Sequence, residues 1–349
     1  MKEFPVTSEI VIIGSGITGL TLAQHLKEKG IECLIADKGR YPGGRMAARE
    51  IGRSGLVNTG PSYFLTDNSI SCRTIEHVCR NADLVEKVIK PLTDQKRQEL
   101  SGYLDSFEIY EPVSSFRTFS KAISENLNLF QSLELHEIIR SDNKWLLKFQ
   151  SASQEGLIEI HAENVILTMP PPQIAEILTR SHLEQLLPSG FEACFSYERS
   201  LVGIFEIQKP DRAGISPEIQ PIPHPNIRRL LQSKNISSGI ITIYIESNDD
   251  FACRYWDAPK AWVLEQFRAI MEENWPGVQV MASDFHRWKY SRLKPEAAGF
   301  ERPLKLTDKP LLILAGEGFG KTEAYPAGLI SAQHSAKLTT ELLTGLRDQ

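Results

Sequence analysis

The stretch that decides the fold is residues 9–26, EIVIIGSGITGLTLAQHL. Ile10-Val11-Ile12-Ile13 is a short apolar run without polar alternation, the pattern of a strand buried on both faces. It breaks at Gly14-Ser15-Gly16-Ile17-Thr18-Gly19, and an apolar stretch of helical character follows to Leu26. In this setting Gly14 permits the tight turn, Gly16 lets the backbone approach a pyrophosphate, and Gly19 lets helix and strand pack closely. The helix amides and the positive end of its dipole then face the anion. Gly30 ends the helix, and a second strand over residues 32–36 closes on Asp37. An acid about 20 residues past the glycines accepts hydrogen bonds from a ribose diol. A dinucleotide is expected here; the weaker alternative is a tight corner that holds nothing.

The residues that follow favour FAD over NAD(P). Lys38-Gly39-Arg40-Tyr41-Pro42-Gly43-Gly44-Arg45-Met46 carries a second glycine pair and a fixed arginine. Extended FAD passes a second backbone segment, which Gly43 and Gly44 would let approach, while Arg45 would bring a guanidinium to the phosphates. A surface turn with an exposed arginine is the bland reading. A third clue lies near the C-terminus, in KPLLILAGEGF, residues 309–319. A strand over 311–315 ends at Gly316-Glu317-Gly318, and a last helix opens at Ala327-Gly328-Leu329 and runs to about Leu343. In FAD folds such an acid sits near the ribitol or pyrophosphate, and such a helix N-terminus stabilises charge on the reduced flavin.

The chain has 349 residues, 41% of them hydrophobic, and a net charge of −5. That supports a sizeable core and provides no global basic field to recruit nucleic acid or a membrane surface. Arg228-Arg229 reads as solvated surface or a local anion contact. The five cysteines form no C-x-x-C pair, so reduced thiols in the cytoplasm are expected rather than disulfides or zinc. No histidine pair has metal spacing, and no metal is expected. No signal peptide is seen, and no run approaches the ~18 apolar residues of a membrane span.

The expected class is α/β: a Rossmann-like FAD-binding domain with a second α+β substrate domain on a mainly antiparallel sheet. The first is discontinuous, over residues 1–72, 113–172 and 305–349; the second takes 73–112 and 173–304. Helices are expected near 116–126 and 259–275, the latter with Pro259 in its first turn, and strands near 133–139, 145–149 and 157–161. The strand before Pro170-Pro171-Pro172 leaves the sheet there, since proline cannot continue a ladder. Runs at 201–207, 240–246 and 284–290 read as strands of the second sheet. Trp262, Phe267 and Ile270 read as core, and the proline-rich 210–225 as an irregular loop near a cleft.

Together these segments resemble the renalase family within the FAD-dependent amine oxidase superfamily. The resemblance spans nearly the whole chain. It rests on the glycine turn, Asp37-Lys38, Gly43-Gly44-Arg45-Met46, Gly60-Pro61-Ser62-Tyr63-Phe64, Asn143-Lys144-Trp145, Leu167-Thr168-Met169-Pro170, Arg287-Trp288-Lys289-Tyr290 and Gly316-Glu317-Gly318-Phe319. It implies noncovalent FAD and oxidation of the 2- and 6-dihydro isomers of NAD(P)H, with dioxygen leaving as hydrogen peroxide. Monoamine oxidases tether flavin through a late cysteine, and this chain has none after Cys253.

The cofactor residues implied are Gly14, Gly16, Ile17, Thr18, Gly19, Asp37, Lys38, Gly44, Arg45, Met46, Gly60, Leu135 beside the adenine, Gly316, Glu317, Gly328 and Leu329. Tyr63 and Trp288 are the expected walls for a substrate ring, with Tyr325 behind them, and Arg287 or Lys289 either meets a substrate phosphate or, as an alternating neighbour of Trp288, faces solvent. The chain departs from the family in three places, one of them the segment Glu323-Ala324-Tyr325-Pro326 before the last helix. Pro61-Ser62 stands where Ala-Gln is usual, and Glu317 stands for aspartate. Amine oxidation and a non-enzymatic flavoprotein are the competing readings.

Overall fold

The computed structural model describes residues 5–87, 106–151, 156–208, 224–232, 239–325 and 328–347. Its main sheet has eight strands. Thr7–Ile13 lies in the middle, parallel to Leu34–Ala36 on one side and to the end of Leu157–Leu167 on the other. Asn128–Phe130 and Leu311–Leu314 extend the parallel set outward, and Leu304–Asp308 closes one edge in antiparallel sense. The strand Leu157–Leu167 serves two sheets' worth of partners. Its first half pairs antiparallel with Lys144–Ser151, and its second half pairs parallel with Thr7–Ile13. Leu133–Ser141 completes that antiparallel excursion.

Both faces of the parallel strands are covered, which is why Ile10 to Ile13 is uniformly apolar. Ile10, Ile12, Ile35 and Ile313 face the helices Ile17–Glu28 and Leu329–Arg347. Val11, Ile13, Leu34 and Leu312 face the helix Pro171–Arg180 and a cluster built on Phe191, Phe195 and Phe319. Two boundary expectations are corrected by this packing. Residues 73–112, assigned to the second domain from sequence, contribute Ile75, Val78, Val85 and Tyr110 to the core of the first. The helix Pro171–Arg180 likewise packs on the nucleotide sheet rather than in the second unit.

The second unit is a four-stranded antiparallel sheet in the order Ile227–Gln232, Ile240–Ser247, Tyr197–Gln208, Val280–Leu293. The first of these strands was not anticipated. One face carries Leu201, Phe205, Ile241, Ile243, Ile245 and Phe285 and is buried under the helices Asp249–Arg254 and Lys260–Asn274. Phe267 and Ile270 join that core, whereas Trp262 stays 38% exposed and packs on Tyr255, correcting its core assignment. Pro259 is the N-cap of its helix rather than a first-turn residue. The expected loop over 210–225 lies outside the described residues up to position 223.

The alternation that buries one face leaves the other for polar groups. Arg229, Tyr244, Glu246, Glu198, Ser200, Arg292, Trp288 and His286 occupy it, opposite the glycine-rich turn.

Candidate active site

The cavity begins at the first glycine turn. Gly14 has φ +110°, a conformation that L side chains avoid. Thr168 locks this turn by donating from Oγ1 to the carbonyls of Ile13 and Gly14, at 2.8 and 3.2 Å. A Cβ on Gly19 would fall 2.0 Å from the Gly14 oxygen, so the close helix–strand contact tolerates only glycine. A Cβ on Gly16 would project into open space. The helix that starts there has no side-chain cap and no acid in its first turn. Its leading amides are therefore left for an external acceptor. The Ser15 hydroxyl beside them is buried and without a partner.

The second glycine pair meets the first directly. Gly43 donates to the Ser15 carbonyl at 2.8 Å, and Gly43 forms a parallel bridge with Gly16. Asp37 accepts from the Ser15 amide at 2.5 Å and the Gly39 amide at 2.6 Å, which fixes its carboxylate at the strand end. An uncapped helix N-terminus, an orphaned hydroxyl and an oriented carboxylate fit the pyrophosphate and ribose of FAD.

From this turn one cavity of about 1830 Å³ runs to the polar face of the four-stranded sheet. That exceeds the ~300–1,000 Å³ of a typical small-molecule site and leaves room for a dinucleotide and a second ring. Gly14, Gly16, Ile17, Thr18, Asp37, Lys38, Gly44, Arg45, Met46, Gly60, Leu135, Glu317, Gly328 and Leu329 all line it, as do Tyr63 and Trp288. Gly19 and Gly316 do not; they act on the backbone behind it. Tyr325 does not line it either. Its ring packs on His334 at 4.2 Å and its hydroxyl meets Ser69.

Several expected contacts are already committed within the protein. Arg45 forms an ion pair with Glu317, whose side chain is only 4% exposed. Burial opposes the Arg45 charge, and Glu317 outweighs it, holding the guanidinium above its ordinary pKa. The two motifs thus meet each other at the cavity wall, and the longer glutamate is taken up by this pairing. Arg287, one of two candidates for a substrate phosphate, donates to the carbonyls of Trp256 and Ala258.

Trp288 is pinned by its indole N–H to the Thr59 carbonyl, at 2.6 Å. His286 stands edge-on to it at 4.3 Å. Burial, with Arg49 adding to it, pushes the His286 pKa down to about 4, so the imidazole is neutral near pH 7.

Sequence reading missed the ionic network beside this wall. Arg229, expected as solvated surface or a local anion contact, is half-buried and donates to Glu246 at 2.5 Å, to Ser62 Oγ at 3.1 Å and to the Gly60 carbonyl at 3.0 Å. It therefore clamps the Gly60-Pro61-Ser62 edge to the sheet. Arg292 reaches the other Glu246 oxygen at 3.2 Å, and Arg228 and Arg292 both pair with Glu198. Burial penalises the Glu246 charge, yet Arg229 and Arg292 together hold its pKa below the ordinary carboxylate value. One signal was available: Thr242, Tyr244 and Glu246 alternate with isoleucines along one strand.

The fold and the glycine turn have known counterparts. Residues 12–76 match a family model described as an NAD(P)-binding Rossmann-like domain. Renalase from Mus musculus is 25% identical over 339 residues, covering 89% of this chain and 93% of that protein. A 1-hydroxycarotenoid 3,4-desaturase from Flavobacterium sp. (strain P99-3) is 30% identical over 158 residues, 37% of this chain and 32% of its own.

Among solved structures, one from Exiguobacterium sp. 255-15, provisionally named a protoporphyrinogen oxidase, superposes with a TM-score of 0.68 at 14% identity, covering 98% of this chain and 99% of that one. Wild-type putrescine oxidase bound to putrescine gives 0.64 at 9% identity, over 99% and 100%. At such identities these two likenesses establish the fold alone. No helix of the described residues is long and apolar enough to cross a membrane. The chain is thus similar to renalase over most of its length and shares the fold of solved oxidase structures.

Proposed function

We propose that the chain oxidises 2- and 6-dihydro isomers of NAD(P)H to NAD(P)+, using noncovalently held FAD and dioxygen. The observation that carries this reading is the single cavity joining the glycine turn to the aromatic wall of Tyr63 and Trp288. Bound FAD supplies the hydride acceptor at N5, and dioxygen with a proton takes the electron pair away as hydrogen peroxide.

The protein's part is binding and orientation. Trp288, fixed by its bond to Thr59, offers a flat surface against which a nicotinamide ring lies. Tyr63 is set by the strand Phe64–Thr66 that follows it, which pairs with Glu108–Pro112. A hydride-bearing carbon held about 3–3.5 Å from its acceptor reacts far faster than one free to tumble. Neutral His286 adds a hydrogen-bonding edge without a charge that would repel the cationic product.

None of the described cavity-lining residues is a cysteine, which supports a flavin without a thioether link. The five free thiols support a reducing, cytoplasmic setting. Amine oxidation is the second reading, favoured by the edge-to-face pair Tyr197–Tyr290 at 5.7 Å. The Arg45 guanidinium already sits 6.0 Å from the Tyr197 ring centroid, which disfavours a second cation there.

Anaerobic mixing with 6-dihydroNAD or 2-dihydroNAD should bleach the flavin rapidly, ordinary NADH poorly, and amines not at all. Bleaching by amines and not by the dihydro isomers would transfer the assignment to amine oxidation. Acid should release all the flavin into solution; flavin retained on the precipitate would refute noncovalent binding.

A further inference from the structure

Arg45 is the cation that the sequence aims at the cofactor phosphates, and the fold gives it to Glu317 instead. A pyrophosphate brings two negative charges, whereas a helix N-terminus supplies the equivalent of only about half a positive one. Another cation near the glycine turn is needed to answer the difference. Lys38 leans toward Glu134 at 3.8 Å. Arg40 is exposed, with nothing among the described residues to anchor it. The remaining cation beside Gly43 on the cavity wall is Arg117.

Arg117 stands in the first turn of the helix Phe116–Ser124, which Ser115 caps by accepting from the Thr118 amide. One turn further on, Ser120 shares its side of the helix. The Ser120 hydroxyl is buried and without a partner, and a Cβ on Gly43 would fall 2.5 Å from it. Gly43 in turn bridges to Gly16, beside the orphaned hydroxyl of Ser15. The helix therefore docks on the junction of the two glycine segments, and Arg117 lines the cavity at its N-terminal margin. Two buried hydroxyls without partners at one junction point to a ligand there.

The guanidinium is fixed by the protein itself. It donates to the Ala48 carbonyl, and its central carbon lies 4.0 Å from the centroid of the Tyr41 ring. Neither partner carries a charge, and among the described residues no carboxylate pairs with it. A stacked guanidinium keeps most of its donors available in one plane. Ordering so long a side chain in advance removes an entropic cost from binding.

We propose that Arg117, stacked on Tyr41, is the cation that meets the pyrophosphate of the bound dinucleotide, in place of Arg45. This rests on the proposed function for the identity of that dinucleotide as FAD.

The test follows FAD release from the loaded full chain, read as recovery of flavin fluorescence on dilution. Arg117→Gln should weaken FAD at least about tenfold, the scale of one charge-assisted contact. Added salt should weaken FAD less in Arg117→Gln than in the unaltered protein, because one screened charge pair is gone. Arg117→Lys should recover part of the affinity. Riboflavin, which carries no phosphate, should bind the FAD-free forms of Arg117→Gln and the unaltered protein alike. Unchanged FAD affinity in Arg117→Gln would overturn the proposal. Equal losses of FAD and riboflavin would overturn it too, assigning Arg117 to packing through its bond to Ala48.

Inorganic pyrophosphate probes the same arginine without any flavin, read as a rise in the thermal midpoint of the FAD-free chain. Protection that depends on Arg117, in a chain that takes up no FAD, would keep the phosphate site and refute the flavin. Tight FAD binding with no dependence on Arg117 would keep the flavin and refute the site.

Discussion

The two ends of the cavity are built in opposite ways. At the glycine turn the work is done by backbone: Gly14, Gly16, Gly19 and Gly43 matter for what they lack, and their contacts fall within a short stretch of chain or one strand crossing. At the sheet wall it is done by side chains, with Arg229, Glu246, Glu198 and Arg292 arriving from four different strands. The first end can be recognised from spacing alone and is electrostatically simple. The second is a coupled network in which each charge depends on another, so a single substitution there should propagate further.

Glu246→Ala is the severest test of that contrast. Glu246 is almost wholly buried and answers two arginines. Removing it takes a buried carboxylate partner from both, at about 3–5 kcal/mol. Urea unfolding should register this; a midpoint within error of the unaltered protein would mean that the wall is not coupled. The pH dependence has a definite sign. The folded pKa of Glu246 is depressed, so its contribution is present above the ordinary glutamate value and is lost as pH falls through the folded value. Glu246→Gln should remove that acid-sensitive component.

Asp37→Ala probes the other end. The carboxylate would accept the ribose hydroxyls while also holding the Ser15 and Gly39 amides. About 1.5–3 kcal/mol per charged hydrogen bond should vanish, and FAD should be lost on dialysis while the chain stays folded. Full FAD retention would remove Asp37 from the cofactor site.

Trp288→Ala should separate the two ends functionally. With the ring gone the substrate is misplaced by an ångström or more, and flavin reduction should slow by roughly 100-fold with FAD still bound. Loss of FAD instead would show that the wall supports the cofactor as well.

The smallest effect is expected at His286. Its pKa is lowered to about 4 from 6.5 by burial, and Arg49 adds to the shift. A depressed folded value means that the stability gained by staying neutral is full above pH ~6.5 and lost as pH falls from there toward 4. His286→Gln should flatten the stability profile across that window. A profile that keeps its slope would assign the titration elsewhere on the wall.

The sequence alone carried the parallel strands, the glycine turn and Asp37 at the strand end, because each depends on local sterics or on uniform burial. Gly19 must be glycine wherever a helix leaves a strand this closely, and Ile10 to Ile13 must be apolar when both faces are covered. Trp288 and Tyr63 were legible through family resemblance, and the structure brought both to one cavity.

What sequence could not decide was partnership. Arg229 reads identically as surface or as clamp until the strand Ile227–Gln232 is laid beside Ile240–Ser247, opposite Ser62. Arg45 was aimed at phosphate and Glu317 at the ribitol or pyrophosphate, yet the chain folds back to pair them across a separation of 272 positions. Ile75, Val78, Val85 and Tyr110 joined the nucleotide core for the same reason. Periodicity records whether a side chain is buried, whereas tertiary structure alone determines which charge waits on the other side.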